Sequence, residues 1–280
     1  MSKIFTIGDL HSRPEEMKFL NNKNFPEQKE LTKEDVLVQL GDFGWIWYFD
    51  NCNTLFRKDE KQLDILSQKN YTLFVIPGNH DNYDRINNLP KVKKWGGYVY
   101  QYTSLSGNYI YFALRGEVYL INGKTVFTFS GAATSSISDR YSYEDYLSQK
   151  LFRVKKYDQG GNLRRVRPEK IKICKVSYWK AELASDLEKD YAYEALKRVD
   201  FKVDYVFTHT APVEIIGEFI SKTDHFLPKF ECDTAVFLSN IFNLIQAKEW
   251  HFGHLHTTGR LTIEDILFEC HYMNAPKELI

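Results

Sequence analysis

The polar residues that follow a short apolar run at positions 72–77 constrain the fold of this chain more than any other feature. The run has the length of a buried strand and ends at a Pro-Gly turn signal. Asn79, His80 and Asp81 come directly after the turn, and none of these side chains suits a protein interior without polar partners. The stretch therefore predicts a strand end where polar side chains meet one another or a ligand.

Four further stretches repeat this order of strand, turn and metal-binding side chains. They are Gly8-Asp9-Leu10-His11, Gly41-Asp42, Thr208-His209 and Gly253-His254-Leu255-His256. Five of the eight histidines of the chain lie in these stretches or beside Asn79. Ligands of α/β folds bind at the carboxyl ends of the strands, so we expect the five stretches to form one active site.

The side chains in these stretches are of the kind that binds divalent cations. Two sets repeat one spacing, Asp9 with His11 and His254 with His256, which puts both members on the same side of an extended segment. Two sets suit two ions, and Asp42 is the natural bridge because a carboxylate can share its oxygens. Oxygen and nitrogen donors without thiolate favour manganese, iron or zinc at a catalytic centre. The predicted metal ligands are Asp9, His11, Asp42, Asn79, His209, His254 and His256.

The patterns along the chain predict a single domain over residues 1–280, since we find no repeat, low-complexity tract or linker. Residues 98–130 contain short apolar runs and the hairpin signal Asn122-Gly123, which predicts a second and mostly antiparallel sheet. The stretch Ser185-Asp186-Leu187-Glu188 predicts a capping box at the start of a helix.

Residues 150–180 stand out by charge, with eleven basic residues against two acidic ones and a local net charge of +9. We interpret the segment as a basic insertion in the domain. It can track a nucleic-acid backbone, but charge runs are also common on solvated surfaces and in oligomer contacts. The chain as a whole has a formal net charge of zero, which identifies no partner.

Cysteine spacing and hydropathy predict a cytoplasmic protein. The four cysteines lie far apart and form no Cys-x-x-Cys pair, so neither a zinc ribbon nor a secreted disulfide framework is supported. No segment approaches the roughly 20 apolar residues of a membrane span. We expect a soluble chain without a membrane partner, and the sequence leaves its oligomeric state open.

The ordered motifs resemble the calcineurin-like metallophosphoesterase superfamily. The motifs are Asp9-x-His11, Gly41-Asp42, Gly78-Asn79-His80-Asp81, His209 and Gly253-His254-x-His256. Shorter stretches resemble a bacterial and phage branch of it: Gly41-Asp42-Phe43-Gly44, Gly123-Lys124-Thr125, Ser130-Gly131-Ala132-Ala133 and Thr208-His209-Thr210-Ala211-Pro212. The resemblance implies an α/β fold, a four-layer αββα sandwich of two mixed β-sheets flanked by helices.

The resemblance also implies a metal-dependent phosphoric ester hydrolase with two divalent metal ions, for which we expect manganese, with iron or zinc as alternatives. One metal would take Asp9, His11, Asp42 and His256, and the other would take Asp42, Asn79, His209 and His254. Metal-activated water would then hydrolyse a phosphomonoester or phosphodiester, with Asp42 and His80 as the catalytic residues. His80 would protonate the leaving oxygen or stabilise charge on the phosphoryl group.

The expected substrate is a phosphorylated small molecule or a nucleotide. A nuclease acting on DNA or RNA is the alternative. A third reading is a non-catalytic protein-binding scaffold of the same fold. Scaffold relatives typically lose metal ligands, whereas this chain has a suitable residue at every ligand position.

One position departs from the pattern of the superfamily. Many members carry a second aspartate three residues after the bridging one, where this chain has Trp45. A carboxylate that orients His80 must therefore come from elsewhere, with Asp81 and Asp84 as candidates, or be absent. The departure also argues against a protein serine/threonine phosphatase.

Two residues are candidates for substrate binding. Trp45, with its neighbours Trp47 and Tyr48, can form a platform for a base or simply pack its own loop. Arg115 can reach phosphate with a bidentate fork, or it can form a salt bridge with a neighbouring carboxylate.

Overall fold

The computed structural model describes residues 2–134, 141–148, 151–153, 168–170, 172, 175–221 and 232–280. Most of the basic segment at 150–180 lies outside these residues, so the insertion and the single-domain organisation stay predictions. None of the helices in the described ranges has the length and apolar content that a membrane span needs.

The chain alternates short strands and helices over most of its described length. In chain order the strands are β1 (Ile4–Ile7), β2 (Val36–Gln39), β3 (Thr72–Val75), β4 (Lys91–Lys94), β5 (Gly97–Thr103), β6 (Tyr109–Ala113), β7 (Val118–Ile121), β8 (Lys124–Phe129), β9 (Tyr141–Ser142), β10 (Leu151–Arg153), β11 (Pro168–Lys170), β12 (Val176–Tyr178), β13 (Tyr205–Thr208), β14 (Glu249–Phe252), β15 (Gly259–Ile263), β16 (Ile266–Cys270) and β17 (Lys277–Leu279). The helices are α1 (Pro14–Met17), α2 (Thr54–Ser67), α3 (Tyr83–Asn87), α4 (Tyr143–Leu147), α5 (Asp186–Lys197), α6 (Val213–Ser221) and α7 (Asp233–Phe242).

Two mixed sheets form the centre of the molecule. The seven-stranded sheet has the order β17-β1-β2-β3-β6-β5-β4, and its strands β1, β2, β3 and β6 are parallel. The six-stranded sheet has the order β15-β16-β14-β13-β8-β7, and its strands β16, β14, β13 and β8 are parallel. Antiparallel strands flank the parallel set in both sheets. The carboxyl ends of the parallel strands in each sheet therefore lie at a common edge.

Three apolar cores separate four layers. Neighbouring residues of a strand face opposite ways, so Phe5 packs in the core beside α2 while Ile4 packs in the core between the sheets. The core between the sheets combines residues of both, such as Phe74 and Phe207. The third core joins the outer face of the six-stranded sheet to α5, α6 and α7. The predicted four-layer αββα sandwich of two mixed sheets is confirmed.

The prediction of one separate sheet over residues 98–130 is wrong. Strand β6 pairs in parallel with β3 and so extends the first sheet, with β5 and β4 beside it. The chain then crosses over, and the β7–β8 hairpin joins the second sheet. Residues Asn122 and Gly123 form the hairpin turn at φ angles of 53° and 78°, as the sequence predicts. Local patterning identified the strands but not their partners, which depend on distant pairings.

The capping box predicted at Ser185 is present. The Ser185 side chain accepts a hydrogen bond from the Glu188 backbone N–H, and the Glu188 carboxylate accepts one from the Ser185 backbone N–H. Helix α5 begins at the next residue, Asp186. The sequence pattern and the local structure therefore agree at this helix start.

Candidate metal centre

Seven predicted ligands converge where the carboxyl ends of strands from both sheets meet. Potential ligand atoms of Asp9, His11, Asp42 and His256 all lie within 4.8 Å of one another, and so do those of Asp42, His209 and His254. The seventh residue, Asn79, joins the second group because its Oδ1 lies 3.0 Å from His209 Nε2. These are the two ligand sets that the resemblance implies.

Asp42 belongs to both groups, and its two oxygens face different partners. Asp42 Oδ2 lies 3.2 Å from His11 Nε2, while Asp42 Oδ1 lies 3.2 Å from His209 Nε2. The carboxylate is 1% exposed, and its Oδ1 also accepts a hydrogen bond of 2.8 Å from the His80 backbone N–H. One buried carboxylate thus stands between the two ligand clusters.

Local backbone geometry turns the ligands toward one another. Four of the seven ligands have positive φ angles, namely His11 (42°), Asp42 (50°), His254 (65°) and His256 (49°). Such conformations cost on the order of 1–3 kcal/mol for residues with a Cβ, and they persist where surrounding structure fixes them. Here the backbone N–H groups of Leu10 and His11 donate to the Asp42 carbonyl, at 3.1 and 2.8 Å. The turns after β1 and β2 therefore hold each other in place.

Glycines before the ligands allow this close approach. A Cβ on Gly41 would lie 2.0 Å from His209 Nδ1, and one on Gly78 would lie 2.4 Å from Asp42 Oδ1. A Cβ on Gly253 would lie 2.1 Å from Asp9 Oδ1. Any larger residue at these positions would displace a ligand, which explains why glycine precedes them.

The donor set fits divalent cations. His209 Nδ1 lies 2.8 Å from the Leu40 carbonyl oxygen, so Nδ1 carries a proton, and Nε2 presents a lone pair when the ring is neutral. That lone pair faces the Asp42 and Asn79 oxygens, an arrangement of acceptors that a cation stabilises. Among the described residues, every ion pair of Asp9 and Asp42 is with a histidine. Two buried carboxylates without lysine or arginine partners suit a bound cation.

Burial and nearby charges favour an ionised Asp42, a protonated His209 and a neutral His254. Burial alone would raise the pKa of Asp42, but His209, His80 and His11 hold that pKa well below its usual value. Burial alone would lower the pKa of His209, but the Asp42 charge raises it to about 9. Burial, together with the nearby His209, holds the pKa of His254 well below its usual value. A cation at His209 therefore competes with a proton.

Two further residues contact the predicted ligands. Buried Glu16 lies 3.4 Å from His11 Nδ1 through its Oε1, while the other ring nitrogen, Nε2, faces Asp42. The Tyr272 ring stacks on His256 with centroids 4.6 Å apart and an interplanar angle of 6°. Neither supporting residue was predicted, because Glu16 and Tyr272 match no motif and their contacts depend on the folded chain.

His80 lies beside the ligand clusters, with its ring centroid 5.6 Å from that of His11. Trp47 stacks on the His80 ring at 5.9 Å and 14°, and Trp47 in turn meets Trp179 edge-on at 5.1 Å. The Trp47 backbone N–H donates to buried Asp59 at 3.0 Å, which fixes the loop that carries the indole. The ring of Trp47 therefore packs against His80.

The carboxylate of Asp81, a candidate for orienting His80, binds backbone N–H groups. Its oxygens accept hydrogen bonds from the backbone N–H groups of Phe43, Gly44 and Gly78, at 3.2, 2.9 and 2.8 Å. Burial, together with the neighbouring Asp42 charge, raises the pKa of Asp81 to about 6. Asp81 thus ties the turn after β3 to the turn after β2 and helps to set the position of Asp42.

The two predicted substrate-binding residues make contacts within the protein. Arg115 is 4% exposed and donates to Ser130, to the Ala181, Glu182 and Leu183 carbonyls and to Glu188. This geometry favours the salt-bridge alternative. Trp45 packs against the core beside the seven-stranded sheet, and its Nε1 lies 3.4 Å from Met17 Sδ. The loop-packing alternative therefore fits Trp45, while Trp47 is the aromatic residue at the site.

Comparison with known proteins identifies the family. The family model described as calcineurin-like phosphoesterase matches residues 2–213. This range includes all the predicted ligands except His254 and His256. The fold brings His256 to the cluster with Asp9 and His11, and His254 to the cluster with His209. No curated protein sequence matches the chain.

Several solved structures are similar to this chain at low sequence identity. Phosphopantetheinyl hydrolase from Mycobacterium tuberculosis is 15% identical with a TM-score of 0.43, over 97% of this chain and 90% of that one. A dimetal phosphatase from Danio rerio is 12% identical with a TM-score of 0.45, over 97% of this chain and 88% of that one. GAP50, the anchor in the inner membrane complex of Plasmodium, is 11% identical with a TM-score of 0.45, over 97% and 71%. Similarities of this size assign neither an activity nor a substrate to this chain.

We expect Gly253→Ala to weaken manganese binding by about 10- to 100-fold, the range typical of changes that disturb ligand orientation. The added Cβ would lie 2.1 Å from Asp9 Oδ1 and force this ligand to move. Equilibrium dialysis with Mn²⁺ measures the effect. Gly217→Ala in α6 is the matched control, because a Cβ there meets nothing within 4 Å. Binding by Gly253→Ala as tight as that of the wild type would contradict the assignment of Asp9.

Proposed function

The chain belongs to the calcineurin-like phosphoesterase family of metal-dependent phosphoric ester hydrolases, and we propose that it uses two divalent metal ions to hydrolyse a phosphomonoester or phosphodiester. The observation that carries the proposal is the position of Asp42 between two clusters of ligand atoms. A carboxylate with one oxygen toward each cluster suits two cations better than one.

The cations, when bound, would bind a phosphate oxygen and lower the pKa of a water molecule that attacks phosphorus. The protein holds the donor atoms in position with little freedom to move. Asp9, Asp42, Asn79 and His209 are each at most 2% exposed, and their backbones follow strand ends of both sheets. Such preorganised donors act without reorganisation during the reaction.

His80 is positioned to assist departure of the leaving group. Its backbone N–H donates to Asp42 Oδ1, so the imidazole has a fixed position relative to the bridging carboxylate. Stacking against Trp47 limits rotation of the ring. From this position His80 can protonate the leaving oxygen or stabilise negative charge on the phosphoryl group. Asp42 and His80 are therefore the proposed catalytic residues.

Several finer assignments remain proposals from the sequence. We assign manganese as the metal, since oxygen and nitrogen donors without thiolate suit it, with iron or zinc as alternatives. We assign a phosphorylated small molecule or nucleotide as the substrate, and the cytoplasm as the location. The scaffold alternative is the weakest, because each cluster retains a complete set of donors.

We expect Asp42→Asn to abolish turnover, because the change removes the charge that both clusters share. The measurement is kcat with Mn²⁺, together with the number of bound ions per chain by elemental analysis. Asp35→Asn is the matched control. Asp35 is also a buried aspartate, but it accepts hydrogen bonds from Lys3 and Thr32 and belongs to neither ligand cluster. Wild-type turnover by Asp42→Asn would contradict the bridging role.

We expect His80→Ala to keep its metal ions while kcat falls by about 10²-fold or more, the usual scale for loss of a general acid. The reason is that His80 lies beside both clusters but belongs to neither. Metal content and kcat should be measured on the same preparation. Loss of bound metal from His80→Ala would instead make His80 a ligand and reverse the assignment.

The nuclease alternative rests on the charge of +9 over residues 150–180. A panel of mono- and diester model substrates, nucleotides and oligonucleotides with Mn²⁺ separates the alternatives. We expect hydrolysis of small phosphate esters or nucleotides with a weak dependence on salt. Activity on DNA or RNA alone, falling steeply as salt rises, would instead identify a nuclease. Inactivity on the whole panel, with less than one ion bound per chain, would favour a scaffold.

A further inference from the structure

A series of hydrogen-bonded side chains runs from Asn79, away from the ligand clusters, into the protein interior. Asn79 Nδ2 donates to Thr134 Oγ1 at 3.2 Å, and Thr134 Oγ1 donates to Glu182 Oε2 at 2.9 Å. The Thr134 backbone N–H also donates to Glu182 Oε1, at 2.6 Å. The exposed fractions are 2% for Asn79, 8% for Thr134 and 0% for Glu182. A fully buried carboxylate therefore stands two hydrogen bonds behind a proposed metal ligand.

The donor and acceptor groups of these side chains fix the direction of each hydrogen bond. Both Glu182 carboxylate oxygens accept hydrogen bonds from Thr134, one from its backbone N–H and one from its hydroxyl, so the single hydroxyl proton of Thr134 points to Glu182. The remaining lone pairs of Thr134 Oγ1 can then only accept, and Asn79 must present its NH₂ group to them. The Asn79 oxygen is turned to the opposite side, where it faces His209 Nε2 at 3.0 Å. Because only the amide oxygen is a good ligand for a divalent cation, this orientation decides whether Asn79 can bind metal.

The backbone around Glu182 is fixed by strong contacts. Arg115 donates to the carbonyls of Ala181, Glu182 and Leu183 at 2.9, 3.3 and 3.1 Å. A Cβ on Gly131 would lie 2.1 Å from the Glu182 carbonyl oxygen, so the two backbones are in direct contact there. The residue predicted to bind phosphate, Arg115, thus holds the segment that carries the Glu182 carboxylate.

We propose that Glu182 is a positioning residue that acts through Thr134 to keep the Asn79 amide oxygen directed at the metal centre. The role rests on the proposed function, since it takes Asn79 as a ligand. Outer groups of this kind orient ligands in many metal sites, and their loss lowers metal affinity by about 10- to 100-fold.

The test measures manganese binding to the full chain by electron paramagnetic resonance of free Mn²⁺, without any activity assay. Thr134→Val keeps the shape of the side chain and removes the hydroxyl, so we expect one of two bound ions to bind about 10- to 100-fold more weakly. Thr134→Ser keeps the hydroxyl and should bind both ions as the wild type does. Glu182→Gln no longer dictates the direction of the hydroxyl proton, and it should weaken the same ion.

Thr234→Val is the matched control for removal of a buried hydroxyl. Thr234 is 0% exposed in α7, and its Oγ1 has no hydrogen-bond partner among the described residues. We expect this variant to bind both ions as tightly as the wild type. Thermal unfolding of each variant without metal reports separately on any loss of folding.

The outcomes distinguish this role from the proposed function itself. A wild-type chain that binds fewer than two manganese ions would overturn both proposals. A wild-type chain that binds two ions, with unchanged binding in Thr134→Val and Glu182→Gln, would overturn the role of Glu182 alone. Equal weakening in Thr134→Ser would also overturn it, because the serine hydroxyl restores the hydrogen bonds.

Discussion

The position of Asp42 between two clusters of candidate histidine, aspartate and asparagine ligands is the arrangement on which the rest of the site depends. The carboxylate is almost fully buried, and its oxygens face His11 on one side and His209 on the other. Buried charge of this kind is unfavourable unless it is compensated. The histidines of the site supply part of that compensation, and divalent cations would supply it more completely.

The fold brings the residues around Asp42 together. Parallel strands of two facing sheets end at the same edge, so residues far apart in sequence such as Asp9 and His254 come into hydrogen-bond contact. Glycines let the turns approach within distances that a Cβ would not allow, as at Gly41 and Gly78. Further buried groups lie behind the predicted ligands, with Glu16 3.4 Å from His11 and the Thr134–Glu182 pair hydrogen-bonded to Asn79.

Much of the fold and of the ligand set could be predicted from sequence because both leave local signals. Each of the five stretches follows a short, mostly apolar strand, and its first predicted ligand comes directly after a glycine or threonine. The layers were predicted from the resemblance that these ordered motifs carry. Sheet partners were predicted less well, and β6 was wrongly placed, since its pairing with β3 joins segments separated by a helix and a hairpin. Arg115 shows a second limit, because a basic residue near a predicted site can equally serve packing. The roles of Trp47 and Glu182 depend on contacts that no local pattern encodes.

The most direct test of the shared carboxylate is a crystal structure with manganese, in which anomalous scattering locates each metal ion independently of the protein density. Our account predicts two anomalous peaks on either side of the Asp42 carboxylate, one among Asp9, His11 and His256 and the other among Asn79, His209 and His254. A single peak bound away from Asp42, or ligands turned away from one another with no peak between them, would contradict it.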